Sequence, residues 1–392
     1  MNFTRGTYNV LRSVVVTILA SLVGLFALAY LLLLLPPVQD KLRHEGEKAL
    51  GEYLNTTVSI GSVSITPFNQ LEAGDVLVND QQGDSLLTIG KLGAGISLKE
   101  LITNNRIVIT YGEIIGLDGH VTRPDKDSPT NMQFIIDAFK PKDDKPPKPF
   151  DVQVKTVVVR GSSLTYDVLD QPRKPGRFDP NHLAVHNLRA DLTLPQLKNN
   201  DFDIRIKRLS FDEGSGLTLK RLTADVHVTD NALDVKGLNL KLPNSDIRLD
   251  DIRLNYSSLK NLGKELSDMP LRVSTPGSTI TPADLAPLVP QLKKFDEPLH
   301  IAATVERDGD RISFPALRLR SNDGTLALET RGALTMPAMG GSYKSLDLEH
   351  LNLTASAGQL SNITKLIPSM PAKTRDLITR CGELREIGRA HV

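Results

Sequence analysis

The chain is predicted to be mainly β, with an amino-terminal transmembrane helix followed by a long antiparallel β-sheet and a few short helices. Three observations predict this. An uncharged apolar run stands near the amino terminus, the hydrophobic period changes from 3.6 to 2 at Val58, and turn residues separate the alternating segments without βαβ units.

Residues 14–35, VVVTILASLVGLFALAYLLLLL, carry no charge and as a helix would extend about 33 Å, enough to cross a bilayer core. Val14, Leu19, Gly24, Leu28 and Leu35 mark this expected anchor. Ala27-Leu28-Ala29 has the small-x-small form of a cleavage site, but five leucines follow it and the run is too long for a cleaved signal peptide. Tyr30 is an interfacial aromatic, and Pro36-Pro37 stop the span. Arg5 and Arg12 precede it, while Lys41, Arg43 and Lys48 follow it among Asp40, Glu45 and Glu47, so the flanking cations do not set the orientation. The usual outcome for a signal anchor makes 1–13 a cytoplasmic tail and exports the remainder. Residues 38–54 then place Val38, Leu42, Ala49, Leu50, Tyr53 and Leu54 near one side of a helix. This juxtamembrane amphipathic helix is expected to cover the end of the sheet that follows.

From Val58 onward apolar and polar residues alternate, as in Val58/Ile60, Val63/Ile65, Ile96/Leu98, Ile107/Ile109/Tyr111, Leu222/Ala224/Val226/Val228, Leu238/Leu240/Leu242 and Ile252/Leu254/Tyr256. Gln82-Gly83-Asp84, Asp230-Asn231, Pro243-Asn244-Ser245 and Asp308-Gly309-Asp310 are turn signals between them. The β-rich segments 55–140 and 150–279 flank a proline and lysine linker, 141–149, PKDDKPPKP. A further helix-plus-strand unit covers 280–371. It opens on a short helix, 280–295, with Thr281 as N-cap, Pro282 at the first helical position and Pro290 as breaker, and a loose echo of that helix lies at 357–371.

Composition narrows the function. Lys plus Arg number 47 against 46 Asp plus Glu, so there is no strong field for a nucleic-acid backbone. The single cysteine, Cys381, makes neither an internal disulfide nor a cysteine metal cluster. No GxSxG elbow, Walker loop or HExxH motif is present, and Gly90, Gly93 and Gly95 lack the GxGxxG order and read as turn or bulge glycines. His182 and His186 in HLAVH have metal-like spacing on a strand or loop without a third ligand, and read as turn histidines. The acid pairs Asp212-Glu213 and Asp250-Asp251 point to opposite strand faces, and the Asp-rich turn NDQQGDS lacks EF-hand spacing. No catalytic residue, metal or cofactor is expected.

An apolar sheet face must be covered, either by closing into a sandwich or barrel with a dry core or by accepting a lipid in an open groove. Alternation leaves both open. The order of features resembles the amino-terminal part of the AsmA-like and TamB-like envelope proteins. The residues carrying it are the anchor, LPPVQDKL, LNTTVSIGSVSITPFNQLEAGDVLVNDQQGDSLLTIGKLGAGISLKELI, IVITYGEIIGLDGHVTR and NMQFIIDAF, then RIKRLSFDEGSGLTLKRLTADV, LNLKLPNSDIRLDDIRLNY and ITPADLAPLVPQLKKF. The resemblance runs from Leu35 to about Pro371 and is most specific from Val58 to Phe139. It implies a protein of the bacterial inner membrane whose periplasmic sheet curls into an apolar groove and moves phospholipid toward the outer membrane, in the manner of bridge-like lipid-transfer proteins. The implied lining is Ile60, Ile96, Leu98, Ile107, Ile109, Val226, Val228, Leu238, Leu240, Ile252 and Leu254. An assembly factor for β-rich outer-membrane proteins is the alternative, and a BamA-type outer-membrane partner is implied through a carboxy-terminal domain. The last residues, ELREIGRAHV, abandon the alternation, and 386–392, EIGRAHV, look like a translated library adapter at the end of an incomplete gene.

Overall fold

The computed structural model describes residues 17, 21, 24, 28, 30–66, 70–97, 100, 103, 107–139, 150–198, 201–258, 269–335, 345–356, 358–361, 376 and 384–391. The chain is mainly β, with a long antiparallel sheet that does not close and few helices. It divides into two compact units, Met1–Gly119 with Asn131–Gln153, and His120–Thr130 with Val154–Val392. Val14, Leu19 and the linker 141–149 lie outside the described residues, whereas Gly24 and Leu28 have helical backbone and Leu35 sits at a bend. Among the described residues no helix is long and apolar enough to cross a membrane.

In the first unit, helix α1 (Pro36–Leu54) starts on prolines that need no intrahelical acceptor and ends where Asn55 turns left-handed at φ 53°. The strands β1 (Val58–Ile65), β2 (Gln70–Asn79), β3 (Ser85–Ile96) and β4 (Ile107–Arg123) pair antiparallel in chain order. The expected turn Gln82-Gly83-Asp84 joins β2 to β3, where the Asp80 carboxylate accepts the N–H groups of Gln82 and Asp84 at 2.9 and 3.0 Å. Three cross-strand rows build the apolar face: Val58, Val78 and Leu87; Ile60, Val76, Ile89 and Leu117; Val63, Ala73, Leu92 and Ile114. Leu42 and Leu50 of α1, with Phe134, Ile135 and Ala138 of α2 (Gln133–Phe139), pack on these rows. Each buried Val or Ile contributes about 1.5–3 kcal/mol. Tyr53 ties the helices by donating to the Ala138 carbonyl at 2.7 Å. At the outer edge of β1 the Ile60 N–H donates to Glu47 of α1 at 2.9 Å. That hydrogen bond, against the opposing effect of burial and with help from Arg43, holds the Glu47 carboxyl below the usual carboxylate range.

Strict alternation would put Ile60 and Val63 on opposite faces. They share one face because every strand of the unit carries an extra residue at the same level. Gly61, Asp75, Gly90 and Gly116 stand side by side across β1 to β4, with Asp75 at φ 52° and Gly116 at φ 65°. Two successive residues therefore face away from the core, and the apolar pattern resumes one position later. Gly90 holds this position on β3 and pairs in unbroken register with both neighbours. A similar shift at Thr110 has a consequence in β4, where Val108 is the buried residue, 3% exposed, rather than Ile109.

In the second unit β5 (Phe150–Val168), β6 (His182–Lys198), β7 (Asp201–Glu213), β8 (Thr218–Val228) and β9 (Ala232–Lys241) form one antiparallel series. The outer side of β9 is shared by two short strands, β10 (Asp246–Arg248) and β11 (Ile252–Asn255). β10 passes the sheet to β12 (Leu271–Ile280) through the single pair Asp246 and Thr279. A second series follows: β13 (Leu299–Asp308), β14 (Arg311–Ser321), β15 (Leu326–Thr335), β16 (Ser345–Ala355) and β17 (Leu384–His391). β14 carries a bulge, with Phe314 and Pro315 opposite Val305 of β13 and Pro315 and Ala316 opposite Arg331 of β15, and β16 carries another at Glu349.

One expectation is corrected. The short helix of 280–295 is instead a pair of 3₁₀ turns, Pro282–Leu285 and Pro290–Lys294, because Pro287 and Pro290 lack the N–H donors an α-helix needs there. Thr281 holds the N-cap position but makes no cap hydrogen bond; its hydroxyl donates to the Asn244 carbonyl at 3.0 Å. That contact docks the turn on the Pro243-Asn244-Ser245 hairpin, where Asn244 and Ser245 also donate to Asp284. The non-alternating end lies in the sheet. Leu384–His391 forms β17, since pairing on the open edge of β16 requires backbone groups and no side-chain pattern. Of the echo at 357–371, residues 358–361 are helical and the rest lies outside the described residues.

At Gly332 on β15 a Cβ would run into the Asp347 carbonyl of β16, whereas at Gly277 on β12 nothing stands within 4 Å. Gly332→Ala is expected to lower the urea stability of the second unit by about 1–3 kcal/mol. Gly277→Ala should stay within about 0.5 kcal/mol of the parent. Equal urea midpoints for the two variants would refute the close approach of β15 and β16.

Candidate functional site

The second unit carries an apolar face whose side chains line up across strands as well as along them. One row runs Val159, Ala190, Leu209, Leu222, Leu240 and Ile247 from β5 to β10. Six strands at about 4.8 Å spacing make this row about 24 Å long. Beside it lie Val157, Leu192, Ile206 and Ala224, then Ile204, Val226, Val235 and Ile252, then Phe202, Val228, Leu233 and Leu254. Leu238 enters at the bulge made by Gly237, whose φ is 60°.

Burial separates this face from that of the first unit. Ile60 is 4% exposed, packed core under α1 rather than open lining. Val226, Leu238, Leu240 and Ile252 are each half-buried, as are Ile204, Ile206, Leu209, Leu222 and Val235. Val228 and Leu254 are buried, at 9% and 7% exposure, Leu254 with Tyr256 and Met269 in a small cluster that also includes Ile252. Ile96 and Ile109 pair across β3 and β4 and are half-buried; Ile107 lies in β4, and Leu98 falls outside the described residues. Sequence reasoning missed Ile204, Ile206, Leu209 and Val235 as members of the face. The bulge at Lys207-Arg208 hid the β7 members, because it breaks the period that alternation relies on.

The opposite face is charged in alternating sign. Arg205, Asp225 and Lys236 form one cross-strand row, and Asp203, His227, Asp234 and Arg253 the next. Arg205 donates to Asp225 at 2.8 Å, His227 faces Asp203 at 2.8 Å, and Arg253 stands 3.5 Å from Asp234. Such exposed pairs contribute about 0–1 kcal/mol each. Their effect is to fix which face stays wet.

The motifs weighed for chemistry serve turns. Glu213, buried, accepts from the backbone and hydroxyl of Ser215, while Asp212 accepts from Asn187 and Thr218. Asp250 and Asp251 are exposed beside β10. Among the described residues no group of three metal-ligating side chains comes together. His182 and His186 do not converge: His186 is exposed, whereas His182 points Nδ1 at Asp167 at 2.7 Å and Nε2 at the Gln171 carbonyl at 2.8 Å. Only an imidazolium donates at both nitrogens. The Asp167 hydrogen bond raises the His182 pKa, burial opposes, and the Gln171 carbonyl adds to the rise.

No family model, curated protein or solved structure matches the chain.

The charged His182 stabilises the loop closing β5 on β6. With its pKa raised on folding, that stabilisation is complete below the ordinary histidine value of about 6.5 and is lost as pH rises through the raised value. Amide protection at Val168, whose N–H donates to Asn181, should therefore fall as pH rises above the ordinary histidine value of about 6.5, once intrinsic exchange is corrected. His182→Gln should remove that step; an unchanged pH profile in the variant would exclude the imidazolium.

Proposed function

We propose that the chain is an inner-membrane-anchored envelope protein that carries phospholipid along the apolar face of its sheet toward the outer membrane. The carrying observation is the set of apolar rows from β5 to β11, continuous across strands and half-buried at Val226, Leu240 and Ile252. One leaflet of acyl chains is about 15 Å deep, half of a bilayer core, so a row of about 24 Å is long enough for an acyl chain. Sheltering each methylene from water is worth about 0.8 kcal/mol, so ten methylenes on the rows lower the cost of leaving a bilayer by about 8 kcal/mol. Head groups stay in water, and the mechanism needs no catalytic group. The uncharged run at 14–35 and the exposed Leu28, Leu31, Leu32, Leu34 and Leu35 support the anchor, and the sequence order described above supports the destination.

A second reading, an assembly factor for β-rich proteins, is favoured by one observation. The open edge of β16 accepts a segment without strand alternation, which is how a client strand would be held.

A photoreactive residue at Val226 or Leu240 in the full chain is expected to capture phospholipid at least several-fold more than one at Asp225 on the wet face. Equal capture at all three positions would sink the lipid reading. Capture of polypeptide at β16 with no lipid at Val226 would replace it with the second.

A further inference from the structure

On the wet face of the second unit, β10, β12, β13 and β14 enclose a cleft of about 450 Å³. Its floor is short of side chains. β12 bulges between Thr275 and Ser278, leaving Gly277 with open space where a Cβ would stand, and Ala302 of β13 lies beside it. Its walls are basic, with Arg248 on β10, Arg318 and Arg320 on β14, and His300 on β13. Asp246, Thr279, His300 and Arg320 form one cross-strand row, so the register brings together residues more than seventy positions apart.

The groups at this cleft are not equally engaged. Arg318 donates to Glu329 at 3.0 Å, and Arg248 reaches Asp246 at 3.4 Å. Arg320 is exposed and faces the cleft. His300 sits between the Thr279 hydroxyl at 3.2 Å from Nδ1 and the Asn322 side-chain oxygen, to which Nε2 donates at 2.6 Å. Asp246 is the cleft's one carboxylate. Its Oδ2 faces Lys241 at 3.3 Å and Arg248, while its buried Oδ1 has no hydrogen-bond partner among the described residues. With Arg318 paired to Glu329, Arg248 and Arg320 against the Asp246 carboxylate favour an anion, and planar guanidinium forks match phosphate oxygens.

We propose that this cleft binds a phosphate group. The phosphate lies between Arg248 and Arg320 over Gly277 and Ala302. Phosphoglycerol carries such a group whether it is free or the head group of a lipid. The site is on the wet face and does not depend on the apolar rows.

Titration of the full chain with glycerol 3-phosphate and, separately, with dihexanoyl phosphatidylglycerol below its micelle concentration tests the site. Saturable binding of either is expected, weakening with added salt. Binding of the first assigns a free phosphate ester, and of the second alone a lipid head group. Arg320→Ala and Arg248→Ala should each weaken it at least tenfold, and Gly277→Leu, which fills the floor without removing charge, should do the same. Lys220→Ala on β8 and Leu240→Asp on the apolar face should leave it unchanged. Absence of saturable binding by both probes would overturn the proposal, as would affinity indifferent to Arg320→Ala and Gly277→Leu in variants whose far-ultraviolet circular dichroism is that of the parent. Loss of lipid capture at Val226 with cleft binding intact would refute the transport reading alone.

Discussion

A long strand keeps one apolar face across a bend only if its sequence shifts period there. β4 has 17 residues and β5 has 19, lengths at which twist and curl accumulate. Each extra residue advances the alternation by one, so the apolar period of the sequence must shift at the same point if the face is to continue. In the first unit Gly61, Asp75, Gly90 and Gly116 place the extra residue at one level in all four strands. The rows of valine, leucine and isoleucine on either side of that bend depend on the shared level. Among β13 to β15, by contrast, β14 takes its extra residue alone, with Pro315 and Ala316 opposite the single Arg331.

The two units put the same sheet logic to different ends. In the first, two helices rich in leucine, isoleucine and phenylalanine fill the apolar face, and its residues become a dry core. From β5 to β10 the row through Leu222 and Leu240 belongs to none of the buried clusters found among the described residues. Ile60 and Leu240 have like side chains and like strand contexts. What separates them is the amphipathic segment that precedes β1, which has no counterpart among the described residues of β6 to β10.

Much of this was legible in the sequence. The switch of period at Val58, the turns at Asp230-Asn231 and Asp308-Gly309-Asp310, and α1 as a cover all follow from residue pattern, because strand faces and turn chemistry are local properties. Features set by neighbouring strands were not legible. Val108 rather than Ile109 is buried because β3 shifts register beside it, and β17 forms because an edge was open to it. The basic cleft has no signature at all, since Arg248 and Arg320 meet only through the pairing of β10, β12, β13 and β14.

The narrow passage from β10 to β12 has a mechanical meaning. Elsewhere in the unit, adjacent strands share ladders of several residues, whose hydrogen bonds bear load in parallel. Here the ladder is one residue pair, joined by the Arg248 N–H to Ser278 at 2.8 Å and the Asp250 N–H to Ser274 at 2.8 Å. Tension along the sheet would concentrate at that seam, where few hydrogen bonds join the strands before it to those after it. A ligand gripped by Arg248 on one side and Arg320 on the other would act as a rivet, stiffening the sheet where its ladder is shortest.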